Sequence, residues 1–198
     1  MHRKFLNGVW TMIFILATAC AVAAAPAEFS ADITITDAKE KISTGKVFIK
    51  GEKTRQELSV NNQSSISILR LDKKLSWTLI PDEKQYMEVA LSFDPTHPAS
   101  GSKDYEYTTS DLGTEKVNGY DCQVIQYTYQ NPKYGIMIQW IAKSLNYSVR
   151  YLTKDSKGKV TLTVNYTNIK TGKLDDSLFE VPSGYSKFSL PFKMPGFK

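Results

Sequence analysis

The sequence predicts a β-dominated fold: one domain of about eleven antiparallel strands with few short helices. The first observation is that apolar residues recur at every second position along most of the chain, which is the period of a half-buried strand. The second is that short polar turns rich in Gly, Asn, Asp and Pro separate these runs. The third is the stretch 134–168, where three such runs follow one another and predict a three-stranded meander with one apolar side.

Residues 1–27 are predicted to form an export signal. Arg3 and Lys4 precede a short apolar run, and small residues follow it, so we expect cleavage after Ala23 or Ala27. The rival interpretation is lipid attachment to Cys20, which is disfavoured because residues 17–19 lack the large aliphatic residue expected before a lipidated cysteine. Residues 28–198 then form a single domain, since no linker composition divides them.

Each predicted strand is a run of period two bounded by turn residues. The runs are 28–37, 45–50, 54–60, 65–71, 75–80, 85–91, 114–117, 120–129, 134–140, 147–151 and 160–166.

Three connections are informative. Asn118-Gly119 is the strongest short-range hairpin signal in the chain. The segment 92–111 contains two prolines and many small polar residues, and it is predicted to be an irregular flap or rim loop. Near the end of the chain, residues 175–177 are predicted to cap one helical turn that carries Leu178 and Phe179 inward.

Charge and residue types exclude several classes of function. The formal net charge of +5 falls by two with Arg3 and Lys4, and the remaining lysines are scattered, so we expect no nucleic-acid partner. After signal removal one histidine, His97, and one cysteine, Cys122, remain. A His/Cys zinc site and a Ser/His/Asp triad are therefore not expected, and Cys122 is predicted to be a small buried hydrophobe. We predict no enzyme activity, catalytic residue, metal or cofactor.

Aromatic residues are the richest signal, and two interpretations of them stay open. They either line a hydrophobic cavity or fill an ordinary core, because both arrangements share the same alternation. The residues concerned are Trp77, Tyr86, Trp140, Tyr147, Tyr151 and Tyr166, with Met87 and Met137.

The order of segments resembles a known family. The series SADITIT, GKVFIKGEKTRQEL, ILRLDKKLSWTLIPDEKQYMEV, VNGYDCQVIQYTY, the meander and DDSLFEVPSGY is similar to the outer-membrane lipoprotein-sorting superfamily, which includes the LolA and LolB carriers. The resemblance implies a strongly curved antiparallel sheet, an unclosed half-barrel whose concave apolar face shelters acyl chains under a lid. It differs in one respect, because the carriers have a helix before the first strand and here Phe29 leaves no room for one.

The resemblance also implies site residues. Arg55 is similar to the arginine that holds the carriers' lid closed, and a surface ion pair with Glu57 is the alternative. The lid itself would come from 92–111. The predicted hydrophobic cavity is lined by Trp77, Tyr86, Ile136, Ile138, Trp140, Val149, Tyr151, Leu162 and Val164.

The expected function is that of a periplasmic, non-enzymatic carrier. Its partner would be a lipid or acylated lipoprotein, it would act as a monomer, and it would contact membrane surfaces only transiently. The alternative is an envelope protein-interaction or stress-sensing module whose core is filled by its own side chains.

Overall fold

Twelve strands form one sheet in the computed structural model, which describes residues 27–60, 63–91 and 106–188. From one edge to the other the order is β12-β6-β5-β4-β3-β2-β1-β11-β10-β9-β8-β7. The strands are β1 Phe29–Asp37, β2 Ile42–Lys50, β3 Lys53–Val60, β4 Gln63–Arg70, β5 Leu75–Ile80, β6 Gln85–Ala90, β7 Tyr107–Val117, β8 Tyr120–Tyr129, β9 Ile136–Ala142, β10 Tyr147–Lys154, β11 Val160–Thr171 and β12 Ser186–Lys187.

The predicted class is confirmed. The sheet is not closed into a barrel, because β12 and β7 are its two edges. Every neighbouring pair is antiparallel except the short β12, which pairs with β6 in parallel. Across the described ranges, helical structure consists of the 3-10 turns Leu71–Lys73, Pro81–Glu83, Pro132–Tyr134 and Asp176–Phe179. In those ranges no helix is long and apolar enough to cross a membrane.

Two predicted connections are confirmed by their backbone geometry. Asn118 and Gly119 both have positive φ, 51° and 86°, as a two-residue hairpin turn between twisted strands requires. The Asp175 side chain accepts a hydrogen bond from the Ser177 backbone N–H at 2.8 Å and so caps the turn that follows. Phe179 in that turn is fully buried.

The sheet curls strongly toward one side. The Thr54 hydroxyl on β3 hydrogen-bonds the Tyr147 hydroxyl on β10, although β2, β1 and β11 lie between these strands. Strands four positions apart in a flat sheet are separated by roughly 19 Å, more than these two side chains span. The side of the sheet that carries Thr54 and Tyr147 is therefore concave, and we call it the concave face.

Register divides the residues of β1–β6 between the two faces, because directly paired residues point to the same side. Phe29 and Ala31 lie on the concave face and Ser30 and Asp32 on the opposite face. Two concave rows run across the strands, Phe29–Ile49–Thr54–Leu69–Ser76–Val89 and Ala31–Val47–Gln56–Ser67–Thr78–Met87. The opposite rows are Ser30–Phe48–Arg55–Ile68–Trp77–Glu88 and Asp32–Lys46–Glu57–Ile66–Leu79–Tyr86.

The chain from Leu174 to Tyr185, which we call the strap, covers the opposite face. Its Phe179 packs in one buried cluster with Ile68, Trp77 and Leu79. Partly buried residues from both sides complete the cluster: Phe48, Ile66, Leu75, Tyr86, Leu174, Leu178, Val181 and Tyr185.

The irregular segment predicted at 92–111 is wrong at its end, because β7 begins at Tyr107. The β-branched Thr108 and Thr109 favour a strand, but a bulge between Asp111 and Thr114, with Gly113 at φ 95°, interrupts the alternation there. Residues 92–105, His97, the predicted signal and Cys20 lie outside the described residues.

The meander of β9, β10 and β11 is confirmed, and its pairing contains a bulge. A bulge between Ser148 and Arg150 shifts the pairing of β10 with β9 by one residue. Trp140 consequently pairs with Arg150, while Tyr151 pairs with Gln139. Trp140, Tyr147 and Tyr151 all belong to one buried cluster with β1.

Candidate functional site

The apolar part of the concave face is carried by β1, β2 and β11. Ile33 pairs with Tyr166 and Ile35 with Val164, which continues the apolar surface from β1 onto β11. The sequence fits this position, since β1 alternates small or aliphatic residues with polar ones. Residues of this surface with at most 4% exposure are Phe29, Ala31, Ile33, Ile35, Val47, Ile49, Val164 and Tyr166.

Three tyrosines lie over this apolar surface. Tyr147 contacts Phe29 edge-on with ring centroids 5.3 Å apart and stacks against Tyr166 at 6.2 Å. Burial raises the pKa values of Tyr147, Tyr151 and Tyr166, so all three hydroxyls are neutral at physiological pH. The hydroxyl of Tyr147 bonds Thr54 and Tyr166, whereas the buried hydroxyl of Tyr151 has no hydrogen-bond partner in the described part of the chain.

The concave rows change character on β3, β4 and β5. Apart from Leu69, they present hydroxyl and amide groups there instead of aliphatic ones, and none of these groups is charged. We call this set the polar patch: Thr54, Gln56, Ser67, Ser76 and Thr78.

Seven of the nine residues predicted to line a cavity belong to one buried cluster with β1 and β2, whereas Trp77 and Tyr86 belong to the cluster under the strap. Val164 pairs with Ile35 of β1 and with Tyr151 of β10, so all three point to the concave side. Leu162 is two residues from Val164 on the same strand and points to the same side. Val149 is fully buried at the bulge of β10. Ile136, Ile138 and Trp140 pair with Lys154, Leu152 and Arg150 of β10.

Trp77 and Tyr86 belong to the face under the strap. The Trp77 indole N–H donates to the Glu88 carboxylate at 2.9 Å, and Lys187 bonds the other oxygen of Glu88 at 2.8 Å. Both hydrogen bonds lower the pKa of Glu88, Lys187 contributing more than Trp77. These aromatic side chains therefore contact the protein's own C-terminal region.

Arg55 makes the predicted ion pair with Glu57 and also contacts the strap, which is not the predicted lid. Its Nε donates to Glu57 at 2.7 Å, and its Nη1 donates to the backbone carbonyl of Leu178 in the strap at 3.0 Å. Arg70 acts in the same way one strand further on, with Asp72, the Phe179 carbonyl and Glu180 as acceptors.

Lysines hold the start of the strap. Lys53 and Lys50 reach the Asp176 carboxylate at 2.7 and 3.1 Å, and these hydrogen bonds lower the pKa of Asp176 to about 2. The Lys50 ammonium also donates to the Leu174 carbonyl at 2.8 Å. The strap is thus attached to β2, β3 and β4 by charged side chains around a buried Phe179.

The most important residues that site prediction missed are on β1 and β2. Their alternation was visible in the sequence, but the cavity was assigned to the strands rich in aromatic residues. Large side chains are typical of cavities and of cores alike, so they do not distinguish the two. What the sequence lacked was the curvature, which makes Phe29 and Ile33 neighbours of Tyr147 and Tyr166.

Chemistry-bearing groups are sparse in the described ranges. They contain no group of three or more His, Cys, Asp or Glu residues that could hold a metal ion. Cys122 is fully buried and unbridged, as predicted, and burial raises the pKa of its thiol. The concave face can therefore pack apolar groups and form neutral hydrogen bonds.

Solved structures share this fold at low sequence identity. An uncharacterized conserved protein from Thermus thermophilus matches with a TM-score of 0.61 and 14% identity, over 82% of this chain and 90% of that chain. MucB in the Pseudomonas aeruginosa MucA/MucB complex matches with a TM-score of 0.57 and 15% identity, over 85% of this chain. This chain spans 62% of the length of that MucB chain.

The family that the sequence resembles is also among the matches. A putative outer membrane lipoprotein-sorting protein domain from Vibrio parahaemolyticus matches with a TM-score of 0.38 and 13% identity, over 77% of this chain and 89% of that chain. The shared fold is shown by the two structures above.

Sequence comparison gives a family but no characterised relative. No curated protein sequence matches the chain. A family model described as a domain of unknown function, DUF4412, matches residues 29–151, which run from the start of β1 into β10. The chain therefore belongs to the DUF4412 family.

Proposed function

We propose that this protein is a periplasmic, non-enzymatic carrier or sensor that binds an acyl chain of a lipid or lipoprotein on its concave face. The observation that carries the proposal is the continuous apolar surface of β1, β2 and β11 on the inside of a sheet that is not closed. Shielding of each methylene from water contributes about 0.8 kcal/mol before the costs of association. A chain of a dozen carbons could therefore be held without any charged contact.

Tyr147 narrows the concavity in this structure. Its ring lies against Phe29 and its hydroxyl reaches Thr54 on the far side. We expect an acyl chain to displace this ring.

Lipid extraction tests the proposal. The mature protein, purified from its native host under mild conditions, is extracted with organic solvent, and the extract is analysed by mass spectrometry. We expect an acyl lipid in stoichiometric amount and uptake of a fluorescent fatty acid by the delipidated protein. Repeated absence of both would rule the carrier out.

The second candidate is an envelope module that binds a protein partner. It is favoured by the way the concave side chains fill their own space, from Phe29 to the Tyr147–Thr54 contact. One matched structure, that of MucB, is a complex with the protein MucA. For this chain we therefore propose a protein partner as the alternative to an acyl chain.

Tyr147→Phe separates the two candidates. In a carrier the variant no longer has to break the Tyr147 hydrogen bonds on binding, so its affinity for a fluorescent fatty acid should rise about fivefold. In a module with a self-filled core neither the wild type nor the variant should bind the fatty acid. Fluorescence titration of both proteins makes the comparison.

A further inference from the structure

We infer that the polar patch is a subsite for the uncharged, hydrogen-bonding head group of an amphiphile, such as an ester or amide carbonyl with neighbouring hydroxyls. The inference rests on the proposed function, because the same ligand's chain would lie on β1, β2 and β11. The inference specifies where the polar end of that ligand binds and what chemical groups this end contains.

The first support is a set of buried polar atoms without partners. The atoms Gln56 Nε2, Ser76 Oγ and Thr78 Oγ1 are shielded from solvent and have no hydrogen-bond partner within the part of the chain that the structure describes. Gln56 is 7% exposed and Ser76 is 1% exposed. Native structures satisfy the large majority of such atoms, because an unmade buried hydrogen bond costs free energy.

The second support is that these atoms belong to one place on the sheet. Gln56 and Thr78 are in the same concave row, both paired with Ser67 of the strand between them. Ser76 is two residues from Thr78 on the same strand and therefore on the same face. The spacings are about 10 Å across the strands and about 7 Å along β5, which is the scale of a glycerol ester.

The third support is the contrast with the opposite face. There the buried polar side chains Arg55 and Arg70 bond carboxylates and strap carbonyls. The protein thus completes its hydrogen bonds where its own chain covers the sheet. On β3–β5 the unpartnered groups occur on the concave face, where the proposed ligand binds.

The charge pattern identifies the class of head group. Neither concave row of β1–β6 contains Lys, Arg, Asp or Glu. A carboxylate or phosphate placed here would be a buried charge without a counter-charge, which is strongly unfavourable. A neutral carbonyl accepts from the Gln56 amide N–H or from the hydroxyl of Ser76 or Thr78, and a ligand hydroxyl donates to the Ser76 or Thr78 oxygen.

Position along the rows fits an amphiphile as well. The patch on β3–β5 adjoins the apolar residues of β1 and β2 without an intervening charge. A ligand lying across the strands would therefore place its chain over Val47 and Ile49 and its polar end over Gln56, Ser76 and Thr78.

The test uses the full mature protein and an apolar fluorescent reporter, N-phenyl-1-naphthylamine. Displacement of the reporter by 1-monododecanoylglycerol and by dodecanoate at pH 8 compares a neutral with an anionic head group on the same chain. The variant is Gln56→Met with Ser76→Ala and Thr78→Val. The control carries Ser30→Ala and Thr34→Val, which change side chains of β1 on the opposite face.

We expect the wild type to prefer the monoacylglycerol over dodecanoate by about tenfold or more. The triple variant should lose about tenfold in affinity for the monoacylglycerol and keep its affinity for the reporter, while the control is unchanged. Its melting temperature should stay equal or rise, because no protein hydrogen bond is removed. Ser76→Ala alone should lose about threefold, which keeps the test available if the triple variant folds poorly.

Equal affinity of the wild type for both probes, or an equal loss of reporter and monoacylglycerol in the variant, would overturn the subsite and leave the acyl-chain proposal standing. A wild type that takes up neither reporter nor probe would overturn both.

Discussion

At the scale of single residues, the core of this protein distinguishes hydroxyls that are used from hydroxyls that are not. Tyr147 and Tyr151 lie on the same strand with exposures of 7% and 6%. The hydroxyl of Tyr147 bonds Thr54 and Tyr166, and the hydroxyl of Tyr151 bonds nothing in the described ranges. Two hydroxyls with similar burial therefore contribute differently to stability.

Removing the two hydroxyls should have opposite consequences. Tyr147→Phe should lower the free energy of unfolding by about 1 kcal/mol, because it breaks satisfied hydrogen bonds. Tyr151→Phe should leave it unchanged or raise it, because it removes a buried polar atom without a partner. Urea unfolding of both variants gives the comparison, and equal losses would contradict the assigned bonding.

Phe179 is the residue that fixes the strap. Phe179→Ala should cost about 3–5 kcal/mol in urea unfolding, because a fully buried aromatic ring is lost from the cluster of Ile68, Trp77 and Leu79. Phe188→Ala is the matched control, since Phe188 is 37% exposed and should change stability by less than about 0.5 kcal/mol. A small effect at Phe179 would mean that the strap is not packed as described.

At the scale of elements, the strap depends on ionised carboxylates. Lys53 and Lys50 lower the pKa of Asp176 to about 2. Burial raises the pKa of Glu180, but hydrogen bonds from Lys73 and Arg70 outweigh it, so the net shift is downward. A carboxylate with a lowered pKa in the folded protein stabilises above its unfolded pKa and loses that effect as the pH falls.

The strap should therefore loosen between about pH 4 and pH 2. Pepsin works in this range, so its cleavage of the Leu178–Phe179 bond, normalised to an unfolded substrate, reports the opening. We expect cleavage to rise as the pH falls and to be already fast at pH 4 in Asp176→Asn. Asp82→Asn, in an exposed turn on another part of the sheet, should behave as the wild type, and identical curves for all three proteins would contradict the role of Asp176.

Most elements could be predicted from the sequence, because alternation and turn residues are local signals. Asn118-Gly119 specified its hairpin, and the alternation of β1 was correctly assigned. The bulge at Ser148–Arg150 could not be predicted, since it adds one residue without changing the local pattern, yet it shifts the pairing of β10 with β9 by one residue. For the same reason the bulge near Gly113 hid the start of β7.

At the scale of the whole molecule, the half-barrel has two faces with different uses. The face under the strap carries paired charges and a small aromatic cluster, and the concave face carries apolar rows and the polar patch. Sequence patterns assign residues to strands but do not show which side curls inward, because curvature depends on contacts such as Thr54–Tyr147 between distant strands. Trp77 and Tyr86 were predicted beside Val164 for that reason, and the structure places them under the strap.

The most direct test of the central claim is photo-crosslinking with an acyl chain that carries a diazirine near its methyl end, followed by mapping of the modified peptides by mass spectrometry. We predict modification within β1, β2 and β11, at concave residues such as Ile33, Val47 and Val164, and loss of the signal when unlabelled monododecanoylglycerol competes. Modification confined to the strap and its cluster around Trp77, or none that the competitor removes, would contradict binding on the concave face.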